Sequence, residues 1–212
     1  MTTQYPNFFL VDHPLIKRDM TVLRDHLTPP EIFREAVKRI SHILAVEISK
    51  NLNTAEYEVE TPLEKTIGYK IIDEVVLVPV LRAGLGMMTG FLEIITDAKV
   101  GHIGLQRDET TLKPVEYYYK TPKNINTAKV VLVDPMLATG GSATEALNYL
   151  KKRGAKNLMF VCLVAAPEGI KKLNAHHPDV QIIGAALDRG LNNKGYILPG
   201  LGDAGDRTFG TL

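Results

Sequence analysis

A single cysteine, Cys162, is all that the 212-residue chain carries, which excludes an internal disulfide. It sits inside the apolar run LMFVCLVAA, residues 158–166, and reads there as a small buried hydrophobe rather than a catalytic thiol. Long hydrophobic runs are missing as well. Val75 to Leu81 and Leu158 to Ala166 are too short to span a bilayer, and the opening MTTQYPNFFLVDHP lacks the basic-then-apolar layout of a secretory signal. A cytoplasmic location without membrane contact is therefore expected.

An excess of one charge is also absent. The chain has 25 basic and 24 acidic residues, with 11 and 14 before Gln106 and 14 and 10 after it. That asymmetry is too mild for a nucleic-acid partner. Lys151-Lys152-Arg153 and Lys171-Lys172 fall late in expected helices, where cations complement the helix dipole. The histidines at 13, 26, 42, 102, 176 and 177 show no metal-ligand spacing, and His176-His177 before Pro178 reads as a helix end. There is no internal repeat and no low-complexity tract. No G-x-x-x-x-G-K-[ST] occurs, which argues against a nucleoside triphosphatase of that type. Gly200 to Gly205 does satisfy G-x-G-x-x-G, but too few residues follow for the helix and distant acid that a dinucleotide site requires.

What is present is an alternation of strand and helix patterns. Thr28-Pro29-Pro30-Glu31 has capping-box spacing, and Phe33, Val37, Ile40, Leu44 and Ile48 then recur at helical intervals, predicting an amphipathic helix to about Lys50. Glu74–Val80, Val100–Leu105, Lys129–Asp134, Leu158–Val164 and Val180–Ala186 read as buried strands. Leu85–Thr96, Ser142–Arg153 and Pro167–Ala175 read as the helical crossovers between them. The fold class is therefore α/β, an open, mainly parallel sheet flanked by helices, organised as one domain over residues 1–212. Within it we expect an N-terminal helical arm over 1–60. Two stretches are longer than a connection needs. Residues 106–127, polar around Tyr117-Tyr118-Tyr119, suggest a mobile hairpin, and the glycine-rich residues 188–212 suggest a hood whose backbone approaches a ligand. The N-terminal amphipathic helix and Phe8-Phe9-Leu10 offer apolar surface for self-association.

The most informative segment is VVLVDPMLATGGS, residues 130–142, an apolar strand, an acid, a loop of small residues and a helix start. In an open parallel sheet the ligand crevice lies beyond the carboxyl ends of the strands, where this loop falls. Free amides at a helix N-terminus favour a dianion, Gly140 and Gly141 let the backbone wrap it, and Thr139, Ser142 and Thr144 offer hydroxyls. Asp134 can accept from vicinal hydroxyls, so one segment suits both halves of a ribose 5-phosphate.

VVLVDPMLATGGSATEA resembles the ribose-phosphate loop of the type I phosphoribosyltransferases, with Asp134-Pro135 in place of the double acid most members carry. That departure, together with His13-Pro14-Leu15, Thr61-Pro62-Leu63-Glu64, Pro79-Val80-Leu81-Arg82-Ala83-Gly84 and the run Gly195 to Asp206, resembles the uracil-specific branch along nearly the whole chain. The resemblance implies that uracil and 5-phospho-α-D-ribose 1-diphosphate are converted to UMP and diphosphate in pyrimidine salvage. It further implies that Arg82, Arg107, Asp134, Pro135, Met136, Leu137, Ala138, Thr139, Gly140, Gly141, Ser142 and Asp203 meet the ribose diphosphate. Ile197, Gly202, Asp203 and Ala204 would hold uracil, Asp203 would meet the magnesium carried by the diphosphate, and Asp134, Arg82 and Asp203 would act in catalysis. GTP as an allosteric activator and a homodimer or homotetramer are family expectations for which the residues indicate no site. Two alternatives stay open from the residues. One is transfer to another base such as orotate, whose carboxylate would want Arg207 or Lys194, or a purine. The other is a nucleotide-sensing RNA-binding regulator on a related fold.

Overall fold

A computed structural model describes residues 5–107 and 114–211. Along the chain run β1 (Phe8–Leu10), α1 (Pro14–Arg24), α2 (Pro30–Ser49), β2 (Thr54–Glu60), β3 (Lys65–Ile71), β4 (Val75–Leu81), α3 (Leu85–Ile94), β5 (Lys99–Val100), β6 (His102–Arg107) and β7 (Pro114–Lys120). There follow β8 (Lys129–Val133), β9 (Met136–Leu137), α4 (Gly141–Lys152), β10 (Asn157–Ala165), α5 (Pro167–His176), β11 (Gln181–Leu187), β12 (Gly190–Leu191), β13 (Ile197–Leu198) and α6 (Ala204–Phe209).

The main sheet has the order β1-β11-β10-β8-β4-β6-β7, with every pair parallel except β6–β7. Strand alternation decides which helix layer each residue meets. Leu77, Val131, Val133, Val161 and Leu163 join Phe33, Ile40, Leu44, Met87 and Phe91 in one core. Their neighbours Val76, Val78, Val130, Leu132, Phe160 and Cys162 join Leu147, Leu150, Ile170 and Leu173 in the other. The central strands are buried on both faces, which is why they read as unbroken apolar runs. Cys162 is fully buried, and that burial drives its thiol pKa far up, so it is inert.

Several expectations change at the N-terminal end. The apolar stripe of α2 is spent on the chain's own core, and of its large apolar residues Ile32 and Val46 stay exposed. Of Phe8-Phe9-Leu10, Phe8 is buried while Phe9 and Leu10 remain exposed. The capping box does not form. Pro29 is the N-cap of α2 and makes no side-chain cap, while the Thr28 hydroxyl turns back to the Val22 carbonyl at 2.7 Å. Residues 54–60 are not helical. They form β2, antiparallel to β3, closed by a turn in which the Thr61 hydroxyl accepts from the Leu63 and Glu64 amides. This arm carries exposed Tyr57, Leu63, Ile67 and Tyr69, with Leu63 at 94% exposure.

The hairpin also has different bounds. Its ladder starts at His102 opposite Lys120, four residues before Gln106, and residues 121–127 turn back toward β8 with Ile125 buried. The connection 108–113 lies outside the described residues. The return strand is anchored to α4: Arg153 pairs with Glu116 at 2.6 Å and stacks 3.9 Å from the centre of the Tyr119 ring. Among the described residues no helix is long and apolar enough to cross a membrane.

Candidate active site

Beyond the carboxyl ends of β4 and β8, a pocket of about 380 Å³ is lined by Ala83, Asp134, Met136, Ala138, residues 194–197 and residues 202–205. Three segments far apart in sequence meet there because parallel strands deliver their following loops to one edge.

The first is the loop after β8. The Asp134 amide donates to the Val161 carbonyl at 3.1 Å, and the Pro135 carbonyl accepts from Leu163 and Val164, each at 3.0 Å, so the loop is sewn to β10 before it leaves the sheet. Asp134 sits partly accessible at the floor of the pocket. Burial pushes its carboxyl up to about 7; a backbone hydrogen bond from Met136 opposes this, and the nearby Asp203 carboxylate adds to it. Met136 and Ala138 face the pocket, whereas Leu137 points into the core at 1% exposure. Leu137 can therefore contribute only main chain. Gly140 takes the left-handed conformation, φ +74°, and a side chain there would lie 2.9 Å from the Gly169 carbonyl. Glycine lets the loop bend while α5 packs beneath it. The first intrahelical bond of α4 is Thr144 amide to Gly140 carbonyl at 3.0 Å, so the amides before Thr144 belong to the free end of the helix. Thr139 and Ser142 are accessible there, but Thr144 is 2% exposed with its hydroxyl sealed in the interior. The expectation that Thr144 adds a hydroxyl to the loop is corrected accordingly.

The second segment is the turn after β4. The Leu81–Arg82 peptide is cis. Gly84 lies so close to β8 that a side chain would meet the Val133 carbonyl at 2.5 Å, which fixes this turn beside Asp134. The Arg82 side chain is 61% exposed and lies 3.5 Å from Asp206 Oδ1. A contact that open is weak and leaves the guanidinium free to turn to a ligand.

The third segment is the hood. Antiparallel β12 and β13 lead to Ile197, which is buried, and then to Gly200, Gly202 and the short α6. The absence of any helix after Gly205, expected from the sequence, is thus corrected: Asp203 caps α6, its Oδ1 accepting from the Asp206 amide at 2.9 Å. Gly195 reaches across to the phosphate loop, its side-chain position 3.5 Å from the Thr139 methyl.

Apart from Thr144 and the Leu137 side chain, which face the interior, the residues proposed from sequence for sugar, phosphate and base stand at one edge; Arg107 ends β6 and its side chain lies outside the described residues. Lys194, a candidate cation beside the base from the sequence, does line the pocket, and so does Tyr196, to which the sequence assigns no role of its own although it stands in the glycine-rich stretch. Of the two cations open to a base carboxylate, Arg207 is withdrawn. It is 8% exposed and donates to the carbonyls of Leu23, Leu201 and Asp25. Among the described residues no group of three or more His, Cys, Asp or Glu side chains is placed to hold a metal. Asp134 and Asp203 do flank the pocket, and Asp203 keeps a second carboxylate oxygen beyond the one that caps α6. That donor set suits a magnesium ion held mainly by substrate oxygens.

An open, mainly parallel sheet with a strand–acid–small-residue loop–helix segment at its carboxyl edge and a hood beside it has the type I phosphoribosyltransferase fold. A hypoxanthine phosphoribosyltransferase of Staphylococcus aureus shares this fold at a TM-score of 0.52 over 74% of this chain and 76% of its own, with 14% identity. The family model for uracil phosphoribosyltransferase matches residues 10–211. A curated uracil phosphoribosyltransferase of Salinibacter ruber is 53% identical over 205 residues, 97% of this chain and 98% of its own. A solved structure from Aquifex aeolicus superposes at a TM-score of 0.89 with 38% identity, over 95% of this chain and 97% of that one. The chain belongs to the uracil phosphoribosyltransferase family.

Proposed function

We propose that this member of the family transfers the 5-phosphoribosyl group of 5-phospho-α-D-ribose 1-diphosphate to N1 of uracil, giving UMP and diphosphate in pyrimidine salvage. The carrying observation is the single pocket in which Asp134, the Arg82–Gly84 turn and the Ile197–Gly205 backbone converge. The 5-phosphate is taken by the amides and hydroxyls of Thr139 to Ser142, and Asp134 accepts from the ribose hydroxyls. The C1–oxygen bond to diphosphate breaks as the N1–C1 bond forms. Arg82, and Arg107 from the hairpin, neutralise the charge that collects on the leaving group. Magnesium, carried by the diphosphate and met by Asp203, supplies further charge neutralisation when bound. Uracil presents the alternating acceptors and donors of its edge to the main-chain groups of Ile197, Gly202 and Ala204. The N1 proton goes to a base, and Asp134, whose carboxyl is pushed up to about 7, suits that task.

The exposed apolar residues of the β2–β3 arm support self-association as a homodimer or homotetramer, since a lone two-stranded hairpin is marginal in water. A sedimentation run checks it: a monomer at micromolar concentration rejects the idea. Activation by GTP rests on the resemblance to bacterial members and is checked by titrating GTP at subsaturating ribose diphosphate, where higher turnover is expected. Location in the cytoplasm is part of the same reading. The reaction itself is tested with a panel of uracil, orotate, cytosine, adenine and hypoxanthine in the presence of magnesium. Nucleotide formation from uracil alone is expected; turnover of another base in its place overturns the assignment of the hood.

A further inference from the structure

Behind the hood, away from the pocket, two arginines tie its backbone to the end of α1. Arg24, in the last turn of α1, forks onto Asp188, Nη2 donating to Oδ1 at 2.6 Å and Nη1 to Oδ2 at 2.9 Å. The same Nη1 donates to the Gly200 carbonyl at 2.9 Å, and the Gly200 amide donates to Asp188 Oδ2 at 2.8 Å. One ion pair therefore engages both polar groups of that glycine. Asp188 is 7% exposed, where a forked, charge-assisted contact is directional and poorly screened. From the other side Arg207 of α6 donates to the Leu201 carbonyl at 2.8 Å and to the Asp25 carbonyl at 2.5 Å, and stacks 4.5 Å from the centre of the Phe33 ring. Gly200 itself is left-handed, φ +64°, and packs directly under the Ile197 carbonyl. The turn between Ile197 and Gly202 is thus set by contacts made through Gly200 and Leu201.

We propose that Arg24 and Asp188 are positioning residues for base recognition, fixing through Gly200 the height at which the Ile197–Ala204 main chain stands over the pocket. The inference rests on the assignment of uracil to the hood. Neither residue lines the pocket, and neither touches the phosphate loop. A buried ion pair contributes uncertain stability but firm geometry, and here the geometry fixed belongs to the base-binding turn.

The molecule contains its own control. Arg39 forks in the same manner onto Asp19, both contacts at 3.0 Å, with Asp19 at 1% exposure, and that pair joins α1 to α2 without meeting the hood. Steady-state kinetics with each substrate varied in turn, alongside thermal melting, on wild type, Arg24→Lys, Arg24→Ala, Asp188→Asn and Arg39→Ala test the proposal. Arg24→Ala and Asp188→Asn are expected to raise the KM for uracil by about 10- to 100-fold, with the KM for ribose diphosphate held within about twofold. Arg24→Lys, which keeps the charge without the fork, falls between them and wild type. Arg39→Ala lowers the melting temperature and leaves the KM for uracil in place. A parallel rise of both KM values in the Arg24 and Asp188 variants, an unchanged KM for uracil, or an equal rise in Arg39→Ala overturns the proposal while the base assignment stands. If the alanine and asparagine variants do not fold, Arg24→Lys against Arg39→Ala decides by the same criteria. Wild type that turns over another base but not uracil overturns the base assignment and this proposal together.

Discussion

The phosphate loop and the hood face the same pocket but are made in opposite ways. From Lys129 to Ser142 the chain builds strand, acid, turn and helix start within one short stretch, and its supports are backbone bonds to the adjacent β10. The hood is held by side chains that link it to the other end of the chain: Arg24 reaches its Gly200 across 176 positions, and its own Arg207 reaches Leu23 across 184. A phosphate needs amides and a dipole, which any helix start after a glycine turn provides. A planar base needs a main-chain edge at one height, and a glycine-rich segment has no rigidity of its own to supply it. Under the proposed function, affinity for the sugar phosphate is thus local, and selectivity for the base depends on tertiary structure.

Substitutions can separate the two. The largest effect is expected from Asp134→Asn, which removes an acceptor for the sugar and the candidate proton acceptor together; kcat should fall about 10²- to 10⁴-fold, read by product formation under saturation. The same variant carries a stability signature. Because the native carboxyl titrates at about 7 against the ordinary 3.8, the folded chain holds a proton that the unfolded chain has released. Asp134 should therefore add most to the stability of the ligand-free chain below the lower value, with that contribution lost as pH rises from about 4 to 7, against the opposite trend of the paired carboxylates of Asp19, Asp73 and Asp179. Asp134→Asn should remove that contribution and be more stable than wild type at pH 8, by on the order of 1–3 kcal/mol. A stability difference between wild type and Asp134→Asn that stays constant from pH 4 to 8 would contradict the burial argument.

Next in size is Gly140→Val. It meets both the left-handed backbone and the Gly169 carbonyl, and should raise the KM for ribose diphosphate by about 10²-fold while sparing that for uracil. Ile197→Ala should do the reverse on a smaller scale, about tenfold on uracil, by loosening the apolar seat of the base. The smallest change is expected from Asp206→Asn. Its contact with Arg82 is long and open to water, so the KM for ribose diphosphate should move by no more than about twofold in a substrate titration.

The same contrast explains what the sequence disclosed. β4, β8, β10 and β11 were legible because burial on both faces leaves continuous Val, Ile and Leu runs, and α4 because glycines precede it and lysines close it. Asp134 and the loop to Ser142 followed from their place at a strand end, and Arg82 from the resemblance of its turn to that of the family. β1 and β9 are too short to leave a pattern. The β2–β3 arm has few buried positions to mark its alternation, so residues 54–60 merged with the helical arm before them. α6 was missed because Gly205 sits in its first turn and Asp203, its cap, had been read only as a ligand-binding acid. Arg207 illustrates the limit most sharply. In the sequence it is a cation beside the base site, and only the fold turns it inward to three carbonyls. A guanidinium's direction depends on partners that local spacing does not reveal.

The most direct test is a crystal structure of the chain with UMP. The account predicts the phosphate in the Thr139–Ser142 loop, the ribose hydroxyls on Asp134 and the uracil edge against the main chain of Ile197 to Ala204. UMP bound with its base outside the hood, or its phosphate away from that loop, would contradict it.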